Sequence, residues 1–65
     1  MEINRIKVVL AEKGIRNKWL SAKMNLNDAT VSKWCTNASQ PSLKTLVKIA
    51  KILDVDVREL ILSTK

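Results

Sequence analysis

The sequence predicts an all-α fold, a compact five-helix bundle that forms a single domain over residues 1–65, with its core at about 3–61. Three observations lead to this prediction. Apolar residues recur at the three- and four-residue spacing of helices, and no alternating strand pattern competes with them. The chain has one glycine and one proline, too few for a loop-rich protein. Finally, residues 17–34 have the pattern of two short helices joined by a tight turn.

The first two predicted helices span about residues 3–13 and 17–24. Gly14 ends the first helix, whose expected buried stripe is Ile3, Ile6, Val9 and Leu10. Asn17 is predicted to cap the second helix. Asn25 tolerates the left-handed backbone conformation that a sharp turn requires, so it is expected to end this helix.

The third predicted helix, about residues 28–35, has an apolar side and a small, polar side. Asn27 occupies its N-cap position, and Leu26 is expected to anchor the preceding turn in the core. The buried side is predicted to consist of Val31, Trp34 and Cys35. The opposite side carries residues that fit a nucleic-acid groove, namely Asp28, Ala29, Ser32 and Lys33.

The last two predicted helices follow a polar loop that ends at Pro41. Ser42 caps the fourth helix, Asp54 closes it, and its expected buried stripe is Leu43, Leu46, Ile49, Ala50 and Leu53. Asp56 and Glu59 have the spacing of a capping box, which predicts a short fifth helix that carries Leu60 and Ile61. Residues 63–65 are expected to fray.

The charge balance favours a polyanionic partner. The formal net charge is +6 and the isoelectric point is about 9.9. Among polyanions, double-stranded DNA fits better than a membrane surface, because the apolar residues are spread over several short helices that face a common core. No segment has the length of a membrane span or the pattern of an export signal, so a cytoplasmic location is expected.

Residue types limit the chemistry of this chain. One cysteine and no histidine exclude an internal disulfide and disfavour a zinc site, so no metal or cofactor is expected. Cys35 is interpreted as a buried small hydrophobe rather than a redox sensor. The chain has no nucleophile–base pair and no glycine-rich phosphate loop, so we do not expect an enzyme.

Two segments carry a resemblance to a known family. These are WLSAKMNLNDATVSKW and, after a polar loop, QPSLKTLVKIAKILDVDVREL. Together they resemble the phage repressor and Cro class of helix-turn-helix proteins, the xenobiotic-response-element (XRE) type, and the phrase TVSKWCTN is similar to small stand-alone bacterial regulators. The resemblance implies a lambda-repressor-like fold and a DNA-binding transcriptional regulator.

Position by position, the resemblance assigns base contacts to the polar side of the third helix and phosphate contacts to the starts of the second and fourth helices. The predicted DNA-binding residues are Asn17, Lys18, Asn27, Asp28, Ala29, Thr30, Ser32, Lys33, Asn37 and Lys44. Asp28 has an alternative role, since a carboxylate in the first turn stabilises the helix dipole. Leu10 and Cys35 replace an arginine–glutamate pair that family members often bury, which predicts an apolar contact there.

Two functions remain open from the sequence. The first is a repressor-like regulator that binds a two-fold operator as a homodimer. The alternative is a protein-interaction module, such as an antitoxin or a phage accessory factor, that uses Trp19 or the fifth-helix residues Leu60, Ile61 and Leu62. Trp19 is expected to be partly exposed, and it either packs over Lys23 or contacts a partner.

Overall fold

The computed structural model describes residues 3–62, which form four α-helices and one 3₁₀ helix. The elements are α1 (Ile6–Lys13), α2 (Asn17–Met24), α3 (Asp28–Cys35), α4 (Leu43–Leu53) and the 3₁₀ helix Val57–Leu60. The all-α class is therefore confirmed for the described residues. The count of five helices was slightly wrong, because the fifth element is a single 3₁₀ turn that ends before Ile61. The predicted fraying of residues 63–65 lies outside the described residues.

The segment before α1 is extended, so the predicted helix start near Ile3 was wrong. Asn4 forms an isolated antiparallel bridge with Ile61. The Leu62 amide donates to the Ile3 carbonyl over 2.8 Å, and the Arg5 amide donates to the Leu60 carbonyl over 2.8 Å. Long-range pairing thus replaces the first helical turn. Ile3 consequently leaves the predicted buried stripe and is 49% exposed.

The predicted residues end α1, α2 and α4 and cap the start of α4, whereas the predicted cap of α2 was wrong. Gly14, Asn25 and Asp54 adopt the left-handed conformation directly after α1, α2 and α4. Ser42 caps α4 by accepting from the Thr45 amide over 3.2 Å. The predicted capping by Asn17 was wrong, because α2 begins at that residue and Arg16 holds the N-cap position without a side-chain hydrogen bond.

A single apolar core joins the helices, and α3 packs against both α1 and α2. Its buried hydrophobic residues are Ile6, Val9, Leu10, Leu20, Val31, Trp34, Cys35, Leu46, Ile49, Ala50, Leu53 and Leu60. Both members of the expected apolar pair, Leu10 and Cys35, are among them.

Besides Ile3, two other residues predicted to be buried lie at the surface. Leu43 is 71% exposed. Leu43 is the first residue of α4, and its neighbours Ser42 and Lys44 are also exposed, so the core does not reach the start of this helix on that side. Leu26 is also exposed. Its turn is held by the backbone, since the Leu26 amide donates to the Ser21 carbonyl over 2.9 Å.

Candidate nucleic-acid interface

Helix α3 presents its polar side to solvent. Asp28, Ala29, Ser32 and Lys33 are exposed, and Thr30 is half-buried. Val31, Trp34 and Cys35 are buried on the other side. The predicted separation of a core side from an accessible side is therefore present in the folded chain, and the accessible side consists of short side chains and one lysine.

The start of α3 is fixed by local hydrogen bonds. The Asn27 side-chain oxygen accepts from the Thr30 amide over 3.0 Å and from the Thr30 hydroxyl over 3.2 Å. This confirms the predicted N-cap. Because both side chains serve the cap, any contact that they make with DNA starts from a preorganised position.

Asp28 connects α3 to α2. The buried Ser21 hydroxyl donates to the carboxylate Oδ1 of Asp28. The carboxylate also lies in the first turn of α3, where it favourably meets the helix dipole. Asp28 thus has a structural role, because its hydrogen bond with Ser21 holds the first turn of α3 against α2.

The amino ends of α2 and α4 carry exposed residues in their first turns. The first amides of a helix have no intrahelical acceptor and favour an anion. Lys18 and Lys44 are exposed in these first turns. Asn17 is half-buried, and its Oδ1 accepts from the Cys35 thiol over 3.4 Å, so its side chain is directed towards the end of α3.

Among the described residues, no acidic side chain pairs with the lysines of this surface. Within residues 3–62 one salt bridge forms, between Arg58 and Asp56 at 3.1 Å, near the other end of the chain. The charges of Lys18, Lys33 and Lys44 are consequently available to an external anion. Such unpaired cations are what a phosphate backbone requires.

The side chain of Asn37 is engaged inside the protein. Its Oδ1 accepts from the Ile3 amide over 2.7 Å, from the Asn4 amide over 2.9 Å and from Gln40 Nε2 over 3.0 Å. Its Nδ2 donates to the Asn4 carbonyl over 3.3 Å. The DNA contact assigned to Asn37 stays a prediction, and these bonds give its side chain a structural role.

Sequence reasoning missed Asn4, which joins the amino-terminal segment to α3. Asn4 Nδ2 donates to the Trp34 carbonyl over 2.9 Å and to Gln40 Oε1 over 2.7 Å, while Oδ1 accepts from the Ile6 amide over 3.0 Å. It is buried and fully bonded. No local pattern marks its bonds to Trp34 and Gln40, because these partners lie 30 and 36 residues away.

Cys35 is buried, as predicted. Burial raises the pKa of its thiol above the ordinary value, and the positive charge of Lys7 lowers it by a smaller amount. The thiol is thus kept in its neutral, weakly reactive form. In the part of the chain that the structure describes, no cluster of three or more histidine, cysteine or acidic residues is placed to hold a metal ion.

The fold and this surface define a helix-turn-helix DNA-binding domain, with α2 and α3 as its two helices. The chain matches the Cro/C1-type helix-turn-helix DNA-binding domain over residues 5–62, and it belongs to that family. The family is one of DNA-binding regulators and not of enzymes. Among the described residues, no helix is long and apolar enough to cross a membrane.

A solved structure supports the same assignment. The chain is similar to a crystal structure described as that of a candidate DNA-binding protein from Bacteroides fragilis, at 56% identity and a TM-score of 0.92. The similarity covers 95% of this chain and 100% of that one. No curated protein matches the chain. The predicted XRE-type identity is confirmed.

Proposed function

We propose that this protein is a sequence-selective, repressor-like transcriptional regulator that reads an operator by placing α3 in the major groove. The observation that carries the proposal is the accessible polar side of α3. It is supported by Lys18 and Lys44, which are exposed in the first turns of α2 and α4 and form no salt bridge within residues 3–62. Family membership adds the general role, since the family consists of DNA-binding domains. The chain acts by occupying DNA and performs no chemistry.

The proposed contacts divide into base edges and phosphates. Lys33 donates to guanine or phosphate, Ser32 bonds a base edge, and Ala29 offers a methyl contact to thymine. Lys18, Lys44 and the first amides of α2 and α4 hold phosphates on either side. Only a few polar side chains face the groove, so the shape of the DNA contributes part of the sequence preference.

We further propose that the protein binds its operator as a homodimer through a terminal patch. This patch consists of Ile3, Arg5, Asp56, Arg58, Glu59, Ile61 and Leu62. Its three apolar side chains are exposed, and a groove of about 640 Å³ runs beside the last two of them. Its two arginines balance its two acidic residues, so two copies of a chain with net charge +6 meet there without the repulsion expected elsewhere.

The terminal patch is also well positioned for a two-fold complex. The hydrogen bond from Asn4 to the Trp34 carbonyl connects the extended segment before α1, which is part of the patch, to the last turn of α3. A symmetric contact at the patch therefore fixes one α3 relative to the other. Half-sites about 34 to 36 Å apart, one helical turn of DNA, are expected. A cytoplasmic location follows from this proposed role.

The test is selection of bound duplexes from a random DNA pool, followed by a salt titration of the selected sequence. An inverted repeat with half-sites about one turn apart supports the dimeric operator reader. Replacement Lys33→Ala is expected to lower the salt slope by about one charge if Lys33 neutralises a phosphate. The matched control is Lys48→Ala on the exposed side of α4, which should leave the slope unchanged.

Two outcomes would contradict the proposal. Equal, salt-sensitive binding to every duplex would indicate a non-specific DNA binder. No binding to any duplex at low salt would remove the DNA reader and favour the second candidate function, a protein-interaction module. That second function is supported by one observation, the exposed Trp19.

A further inference from the structure

Helix α2 presents an aromatic groove on its outer side. Trp19 is 43% exposed, and the ammonium group of Lys23 lies 5.5 Å from the centre of its ring. The adjoining groove, here called the Trp19 groove, has a volume of about 650 Å³ and is lined by Gly14, Ile15, Arg16, Lys18, Trp19 and Ala22. Its lining therefore combines the indole ring and small apolar residues with two basic side chains.

The charge of the Trp19 groove has one sign. Arg16 and Lys18 line it, and Lys23 borders it above the indole ring. Within residues 3–62, no acidic side chain contributes to the lining. None of these three cations takes part in a salt bridge within the described residues. The groove therefore offers three unpaired positive charges around an apolar floor.

The Trp19 groove lies on the side of α2 that faces away from α3. Leu20 and Ser21 are buried, and the Ser21 hydroxyl bonds Asp28 at the start of α3. At about 100° per residue, Trp19 lies about 150° around α2 from the direction midway between these two side chains. DNA positioned in front of α3 consequently leaves the indole ring exposed.

The cations and the indole ring of the Trp19 groove favour some binding partners over others. A second copy that met this groove across a two-fold axis would bring Arg16, Lys18 and Lys23 against their own equivalents, which like-charge repulsion disfavours. Glutamate and aspartate side chains complement these cations instead. An aromatic or aliphatic anchor fits the exposed indole, because tryptophan contributes strongly to protein interfaces when it is covered by an apolar partner.

We infer that the Trp19 groove docks an acidic segment of a partner protein, with one large apolar side chain against Trp19 and carboxylates at Arg16 and Lys18. This docking site shares Lys18 with the proposed phosphate contacts, but the proposed docking does not depend on DNA binding. The domain then carries two binding surfaces, one for a polyanionic duplex and one for an acidic polypeptide.

The test uses a fluorescein-labelled synthetic peptide of glutamates around a central phenylalanine–leucine pair, titrated with the full chain and followed by anisotropy. We expect saturable binding that Trp19→Ala weakens at least about tenfold, as for a central aromatic anchor. A peptide with serines in place of the central pair should bind the wild-type chain more weakly by a similar factor. Circular dichroism of Trp19→Ala checks that the helices remain.

A second variant separates specific docking from general charge attraction. Arg16→Glu reverses a charge at the groove and also suits a helix amino terminus, so the fold is not expected to weaken. Lys48→Glu makes the same change in net charge on the exposed side of α4. Arg16→Glu should weaken peptide binding at least about fivefold more than Lys48→Glu does.

Three results would overturn the inference. One is the absence of saturable peptide binding, and another is equal loss in the Arg16 and Lys48 variants. The third is a loss of duplex affinity in Trp19→Ala as large as its loss of peptide affinity, which would mean that DNA covers the groove. A failure of the wild-type chain to bind any duplex would contradict the operator proposal alone, because the peptide titration contains no DNA.

Discussion

Two asparagines with the same backbone conformation are expected to respond in opposite ways to glycine. Asn25 and Asn37 have φ angles of 57° and 59°. Glycine adopts this left-handed region without the steric cost of a Cβ atom. The Asn25 side chain is exposed and makes no hydrogen bond within the described residues. Asn25→Gly should therefore raise the free energy of unfolding by a few tenths to about 1 kcal/mol.

Asn37→Gly gains the same backbone relief but loses four side-chain hydrogen bonds, of 2.7, 2.9, 3.0 and 3.3 Å, to residues 3, 4 and 40. At about 1 kcal/mol net for each bond, and less for the longest one, we expect a net loss of about 2 to 3 kcal/mol. A domain of this size has a total stability of roughly 3 to 10 kcal/mol, so the loss is a large part of it. The melting temperature should fall by roughly 10 to 20 °C.

The assay is urea unfolding followed by circular dichroism, with Asn25→Gly as the matched control for the backbone change. The midpoints should move in opposite directions at an unchanged slope with denaturant. A rise in stability for both variants would refute the reasoning. It would mean that backbone conformation alone determines the preference at Asn37 and that the bonds to the amino-terminal segment contribute nothing measurable.

Three further predictions concern buried polar groups. Asn4→Ala should lower the free energy of unfolding by about 2 to 4 kcal/mol, because it leaves the first amide of α1 without its partner and removes the bonds to the Trp34 carbonyl and to Gln40. Urea unfolding beside Lys7→Ala, an exposed change on α1, checks this. Ser21→Ala removes the bond to Asp28 and should cost about 1 to 2 kcal/mol, whereas little change would show that the bond is weak. Burial raises the pKa of Cys35, so its contribution to stability is complete below the pKa of the unfolded thiol and declines as pH rises through the folded value. Unfolding between about pH 8 and 10 should show this decline in the wild type and not in Cys35→Ala.

The helices and the buried and exposed sides of α3 were largely predictable because their signals are local. Capping by Asn27 and Ser42, and the left-handed residues that end α1, α2 and α4, depend on neighbours within one turn. The apolar spacing of α3 placed its buried and exposed sides correctly. The family resemblance added the prediction that the polar side of α3 faces DNA, and the match over residues 5–62 confirms the family.

Two of the errors occurred where packing beyond the local pattern decides the outcome. Ile3 continues the apolar stripe of α1 in sequence, but pairing with Leu62 holds it extended. Leu43 continues the stripe of α4, but this first residue of the helix lies outside the buried core. A periodic pattern shows which side of a helix is apolar and does not show whether another element reaches that part of it.

The sequence by itself therefore determined the helical class, the helix boundaries from α2 to α4 and the polar side of α3, since spacing and capping act within a few residues. Only the tertiary structure decided that the two chain ends pair with each other and that Asn4 and Asn37 join them to α3. It also decided that Arg16, Lys18 and Trp19 share one groove. The physical reason is that these contacts depend on the packing of whole helices, which brings together residues whose separation in the chain carries no local signal.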